Sequence, residues 1–241
     1  MKKTLLVLII ALPCLISSCG DDDNPANESP EFKCNEENPT PVFVEKDGLL
    51  IIESESVELG EDWVLKTDVE NYTGSGYIFW NGKSFYSNPG NGLMSYNIFI
   101  NTPGTYRFQW RSVNMGHDHT ENNDAWLRFD DADDFFGKKE KDGSVVYPGG
   151  SGKTPEPEGQ SKDNWFKIYQ NKPGDWCYRT HTSDNDAHNV YVTFNKAGNY
   201  TLEVSGRSEH FGIDRMMLYL ESVEESVATD PETVISEIKC N

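Results

Sequence analysis

The chain has 241 residues, of which 36% are hydrophobic, 12% aromatic and 25% charged, the balance of a folded domain rather than of a disordered or fibrous one. Asp and Glu number 40 against 21 Lys and Arg, a formal charge of −19. A field of that sign repels a phosphate backbone or an anionic membrane surface, which excludes nucleic-acid binding, and the length suits one domain of about 200 residues.

Lys2 and Lys3 precede an apolar run from Leu5 to Ile16. The run is too short to span a bilayer and ends in small residues, as the core of a secretory signal does. Ile16-Ser17-Ser18-Cys19 resembles the lipobox of bacterial lipoproteins, which implies that residues 1–18 are a signal peptide and that Cys19 carries acyl chains, palmitate among them. Gly20-Asp21-Asp22-Asp23 resembles the acidic signal after the lipid cysteine in surface-exposed lipoproteins of glycan-foraging Gram-negative bacteria. Together these imply an outer-membrane protein, exposed at the cell surface and attached to the membrane through its lipid alone. Residues 19–41, acidic and Pro-bearing, read as a tether that cannot bury a core. Cys34, Cys177 and Cys240 then remain for an oxidising exterior. Cys34 and Cys240 lie at opposite ends of the chain, and termini of sandwiches are often neighbours, so a Cys34–Cys240 disulfide is expected. Cys177, beside Trp176, is then a buried free thiol.

The folded part is expected over residues 42–221, followed by a C-terminal extension at 222–241. Short runs are broken by Gly, Asn, Asp and Pro, with almost no stretch of helical period, which argues an all-β sandwich. Strands are expected near 49–57, 76–80, 93–101, 106–112, 125–130, 165–169, 190–195, 199–206 and 213–220, with 131–164 as one long loop or a loose hairpin. Ile98 to Phe108 is echoed at an offset of 94 by Val192 to Leu202, each reading as strand, tight turn, strand, with Gly104 and Gly198 in the turns. Duplicated hairpins of this kind suit a jelly roll.

If those two turns mark one end of the sandwich, loops 81–92, 113–124, 170–189 and 207–212 share the other. His117, His119, His181, His188 and His210 all fall there. A ligand site at such a loop end is built from flat aromatic surfaces and a few planar hydrogen bonders. Trp80 and Trp176 are the expected platforms at that end. Trp126, opposed to Ala125, Leu127 and Phe129, is expected to be exposed on a sheet face. Arg111, Asp124, Arg207 and His210 are the expected polar anchors. His117-Asp118-His119 with His181 or His188 also leaves open a zinc or copper site.

Glu53-Ser54-Glu55, Tyr72-Thr73-Gly74-Ser75-Gly76-Tyr77, Pro103-Gly104-Thr105-Tyr106, Asn123-Asp124-Ala125-Trp126-Leu127-Arg128 and Phe211-Gly212-Ile213-Asp214-Arg215 stand in the order seen in galactose-binding-like jelly rolls. They resemble family 6 and family 35 carbohydrate-binding modules and the C-terminal domain of family 115 glycoside hydrolases, over roughly Gly48 to Glu221. The resemblance implies a structural calcium held by Glu53, Glu55 and Asp214, and a glycan bound in a loop-end cleft or on a sheet face. Glu53 and Glu55, two apart on a strand, leave the same face, as such a site needs. Where those modules commonly carry Asn before the last-strand isoleucine, this chain has Gly212. Gly-x-Ser-x-Gly, His-Glu-x-x-His and phosphate-cradling patterns do not occur. The expectation is non-catalytic glycan binding, with a poly- or oligosaccharide as ligand and a glycan-utilisation surface complex as setting. The alternatives are a structural or adhesive lipoprotein that binds a protein partner, and a small secreted polysaccharide lyase or hydrolase.

Overall fold

The computed structural model describes residues 40–118 and 120–240. They form an all-β jelly-roll sandwich of two sheets. In chain order the strands are β1 (Pro41–Val44), β2 (Leu49–Glu53), β3 (Trp63–Lys66), β4 (Tyr77–Trp80), β5 (Met94–Ile100), β6 (Gly104–Asn114), β7 (Asp124–Arg128) and β8 (Asp134–Lys138). They continue with β9 (Val145–Val146), β10 (Ser161–Lys162), β11 (Trp165–Tyr169), β12 (Asn189–Phe194), β13 (Gly198–Ser205) and β14 (Phe211–Leu220), then a one-turn helix α1 (Glu225–Ala228) and β15 (Glu237–Cys240). The first sheet runs β10-β11-β7-β13-β5-β1-β15 and the second β3-β4-β14-β6-β12-β8-β9, with β2 also on β14.

Alternation sets what each face carries. Along β6, Tyr106, Phe108 and Trp110 enter the core with no exposed surface, so Arg107, Gln109 and Arg111 leave on the outer face of the second sheet. The two sheets meet through edge-on aromatic contacts such as Phe108 with Phe129 at 5.8 Å and Phe135 with Phe166 at 4.9 Å.

The repeated segments are arches rather than hairpins. β5 and β6 do not pair with each other: β5 pairs with β13 and β6 with β12, so each tight turn carries the chain from one sheet to the other. Ile98 faces Tyr200 and Val192 faces Tyr106, so each pair maps onto the other by the repeat offset. The echo in the sequence is therefore a local twofold relation in the fold.

Three expectations are corrected. Residues 131–164 are not one long loop but contain the loose hairpin that is the other expectation: β9 pairs back on β8, while β8 also joins β12 and β10 joins β11. The extension does not trail off: Val223, Ala228 and Ile235 pack on Ile51, Met217 and Tyr219, and β15 pairs with β1 to close the first sheet. Trp80 is no sugar platform, since it is 1% exposed and meets Trp63 edge-on at 5.2 Å. All four residues of β4 are buried because the β2–β4 side of the sheet is covered on both faces. Cys240 is disulfide-bonded and Cys177 is free. Cys34, its expected partner, lies outside the described residues, as does Cys19.

Gly206 lies against the Trp80 ring, and a Cβ there would sit 2.3 Å from ring atoms. Gly206→Ala is expected to cost about 1–3 kcal/mol by overpacking and to lower Tm by several degrees in thermal melts.

Candidate functional site

The loop end assembles as expected. The backbones of Phe85 and Arg207, Gly206 and Asn91, Ser208 and Asp124, and Gln170 and Asn123 are hydrogen-bonded, which joins the β4–β5, β6–β7, β11–β12 and β13–β14 loops. Three expected site residues meet there. The Arg207 guanidinium lies between the rings of Tyr86 and Trp126, 5.1 Å from each, and donates to Asp124. Asp124 also accepts from the Ser208 hydroxyl and has the Lys167 ammonium at 3.8 Å. Trp126 does leave the core face, but it has no exposed surface: Arg207 covers it, and its indole N–H donates to the Phe85 carbonyl at 3.1 Å. It is therefore not an open platform. The space between two rings where a sugar would stack is filled by the chain's own arginine.

Arg111 and Trp176 meet elsewhere, over the outer face of the second sheet. Trp176 is half-buried, edge-on to Tyr77 at 5.2 Å, under the Arg111 guanidinium at 4.6 Å, with its N–H on the Glu70 carbonyl at 2.8 Å. His210 stands apart from both, on the β13–β14 loop in the left-handed region at φ 65°, with its ring 5.9 Å from Phe79. A Cβ at Gly212 would lie 2.9 Å from Val113 and 3.0 Å from Tyr77, so an Asn there would displace one of them.

The three expected calcium carboxylates adjoin the Arg111 site. Thr73 ties two of them, its hydroxyl 2.6 Å from Glu53 Oε2 and 3.0 Å from Asp214 Oδ2. Arg111 Nη1 donates to Asp214 at 2.6 Å, and Arg215 Nε donates to Glu53 at 3.1 Å. Glu55 accepts from Ser75 through Oε1, while its Oε2 is buried without a hydrogen-bond partner. Burial, reinforced by the Glu53 charge, pushes Glu55 up to about 7, and burial also raises Asp214 against the pull of Arg111. Among the described residues no three His, Cys, Asp or Glu side chains converge as a ready-made metal site, because Glu53 and Asp214 turn toward the two arginines. The donor chemistry nonetheless fits a hard cation: three carboxylates face two guanidiniums, and the orphaned Glu55 oxygen is the kind of ligand calcium takes. Of the histidines, His188 is buried with Nδ1 2.8 Å from the Asp186 carbonyl, and His119 lies outside the described residues.

A further opening lies outside the residues that the sequence pattern picks out. A cleft of about 500 Å³ lies on the outer face of the second sheet, within the usual size of a ligand site. Its floor is a single transverse row. Phe136 on β8 faces Tyr191 on β12, Tyr191 faces Arg107 on β6, and Arg107 faces Tyr219 on β14. Strand spacing makes this row roughly 14 Å long. Phe136 and Tyr191 are stacked at 5.7 Å with a 17° interplanar angle. Arg107 Nη1 lies 3.4 Å from Glu140 and 3.0 Å from Glu225, and its Nε is buried without a partner. Glu225 comes from the C-terminal extension, which supplies one wall together with Glu221, Val223 and Glu224. The signal for this site lay in the same alternation that places Tyr106 and Phe108 inside, since it puts Arg107 and Tyr191 outside. Reading 131–164 as a loop hid Phe136, and reading 222–241 as a tail hid Glu225.

No family model and no curated protein sequence matches the chain. Among solved structures it is similar in fold to a β-(1,4)-mannanase of Podospora anserina that combines a family 26 hydrolase with a family 35 carbohydrate-binding module, at 14% identity and a TM-score of 0.43, over 78% of this chain. The likeness takes in only 31% of the mannanase chain. It is also similar to the C-terminal family 6 module of a laminarinase from Zobellia galactanivorans, at 18% identity and a TM-score of 0.33, over 71% of this chain and 99% of that one. A family 6 module from Clostridium cellulolyticum, in complex with xylose, matches at 13% identity and a TM-score of 0.36, over 70% of this chain and 96% of that one.

His181 bridges Tyr169 and Asn189 through its backbone. Burial, with Arg179 and Arg107 nearby, pushes it down to about 4. The folded chain thus holds fewer protons on this ring than the unfolded chain between pH 6.5 and about 4, so its contribution to stability is full above 6.5 and is lost as pH falls through that window. His181→Asn is expected to flatten that part of the stability–pH profile relative to the parent, measured by urea unfolding at each pH.

Proposed function

We propose that this chain is a non-catalytic glycan-binding module whose ligand lies in the cleft floored by Phe136, Tyr191, Arg107 and Tyr219. The observation that carries the reading is that row: two half-exposed aromatic rings, Phe136 and Tyr191, and one planar hydrogen bonder, Arg107, in register on adjacent strands, with the buried Tyr219 closing the row. Aromatic faces accept the CH faces of pyranose rings, and a guanidinium fixes hydroxyls. The loop end supports the choice by contrast, since Arg207 fills the gap between its two rings. With Cys19 acylated, as the lipobox resemblance implies, the module would sit at the outer face of a bacterial outer membrane and concentrate polysaccharide for other proteins of a surface complex.

The test is a glycan array read with Tyr191→Ala, Phe136→Ala and Trp176→Ala beside the parent. Loss of one stacking ring is expected to weaken binding by roughly 3- to 10-fold in the first two variants and to leave the third unchanged. Binding lost only in Trp176→Ala would move the site to that ring, and no binding by the folded parent would overturn the reading.

The same reading gives Glu53, Glu55 and Asp214 a calcium ion that offsets their excess negative charge and stabilises the fold rather than reacting with ligand. Calcium is expected to raise Tm over the chelated protein, by mass action on the folded state, and Glu55→Gln to abolish most of the rise.

A further inference from the structure

We propose, resting on the glycan reading of this cleft, that it is selective for uncharged sugars and that Glu140 and Glu225 enforce the selection by neutralising Arg107. An arginine beside stacked aromatic rings is ordinarily a carboxylate or sulfate receptor, because its fork pairs with such anions in a bidentate way. Here that role is already taken. Glu225 accepts from Arg107 through Oε2 at 3.0 Å and from Gln109 through Oε1 at 3.1 Å, while Glu140 accepts from Arg107 at 3.4 Å and from the Asn189 amide at 2.6 Å. Each glutamate is therefore held by a second donor and does not depend on the arginine to stay in place.

The wider lining has the same sign. Glu221, Glu224 and Glu225 line the cleft together with Arg107 and Lys138. Three carboxylates outnumber two cations along that lining, and charges this close are only partly screened in physiological salt, where the screening length is about 8 Å, so the excess is felt inside the cleft. A uronate or sulfated ring would have to displace a glutamate from Arg107 and enter a site of its own charge, in a chain whose net charge is −19. A neutral ring meets no such barrier. Its hydroxyls can donate to the carboxylate oxygens of Glu140 and Glu225, which stand exposed beside Arg107.

The experiment compares neutral hexose and pentose oligosaccharides with oligogalacturonate of equal length, on the full chain, for the parent, for Glu140→Gln/Glu225→Gln and for the same pair with Arg107→Gln. Glutamine keeps an acceptor toward Arg107 and removes only charge. The expected result is that the parent binds at least one neutral series at least tenfold more tightly than oligogalacturonate. The double variant is expected to narrow that gap at least fivefold at low salt, and Arg107→Gln to restore it. Oligogalacturonate bound by the parent as tightly as the neutral series, or a gap unchanged in the double variant, would overturn the selectivity while leaving glycan binding intact. Neither class bound by the folded parent would overturn the glycan reading and this inference together.

Discussion

The period-two alternation of β6 and its neighbours governs the outer face of the second sheet. Eleven residues from Gly104 to Asn114 run between β12 and β14, and sending Tyr106, Phe108 and Trp110 inward forces Arg107, Gln109 and Arg111 outward in a line. Each of those three outward groups has then acquired a partner from another part of the chain. Arg107 and Gln109 meet Glu225 of the extension, and Arg111 meets Asp214 of β14 and Trp176 of the β11–β12 loop. A slip of one residue in the β6–β12 register would exchange core for surface along the whole row, so packing of the aromatic interior fixes the geometry of the cleft.

The chain invests its charge in a few buried or half-buried pairs as well as on its surface. Arg207 with Asp124, Arg111 with Asp214 and Arg215 with Glu53 all have nearly inaccessible side chains. Desolvation offsets much of the Coulombic attraction in such pairs, so their chief effect is positional. Arg215 illustrates this, since beyond Glu53 it donates to the carbonyls of Pro231 and Thr233 at 2.9 and 3.1 Å and thereby fastens the extension to β14. The wall of the cleft and the acidic cluster around Glu53 are joined through that one side chain.

Much of this was legible in the residues. The nine strands marked by Gly, Asn, Asp and Pro punctuation are present, and the parity of antiparallel connections brought the right loops to one end. What escaped has identifiable causes. Trp80 read as surface because loops flank it, and Trp126 because it alternates with Ala125, Leu127 and Phe129, yet Gly82, Gly92 and Gly206 let backbone close over the first, and Arg207 covers the second. Close approach of that kind is a tertiary fact with no local periodicity. Phe135 and Phe136 lie in a five-residue strand amid Asp and Lys, where composition outweighs alternation. Glu225 became part of a site only because the extension folds back, which depends on Ala228 and Ile235 finding Ile51 and Met217 across the sheet. The family resemblance named Glu53, Glu55 and Asp214, but nothing in it signalled that Arg111 and Arg215 pair with two of them.

The pairing of Pro41 with Cys240 places the first and last strand residues of the fold side by side at one corner of the first sheet. A load applied between those two points would not shear the sandwich. It would fall on the β15–β1 pairs and on the disulfide at Cys240, a covalent bond that holds this edge where hydrogen bonds alone would peel apart. The crosslink therefore reinforces the sheet opposite the cleft, at the one edge where both ends of the fold meet.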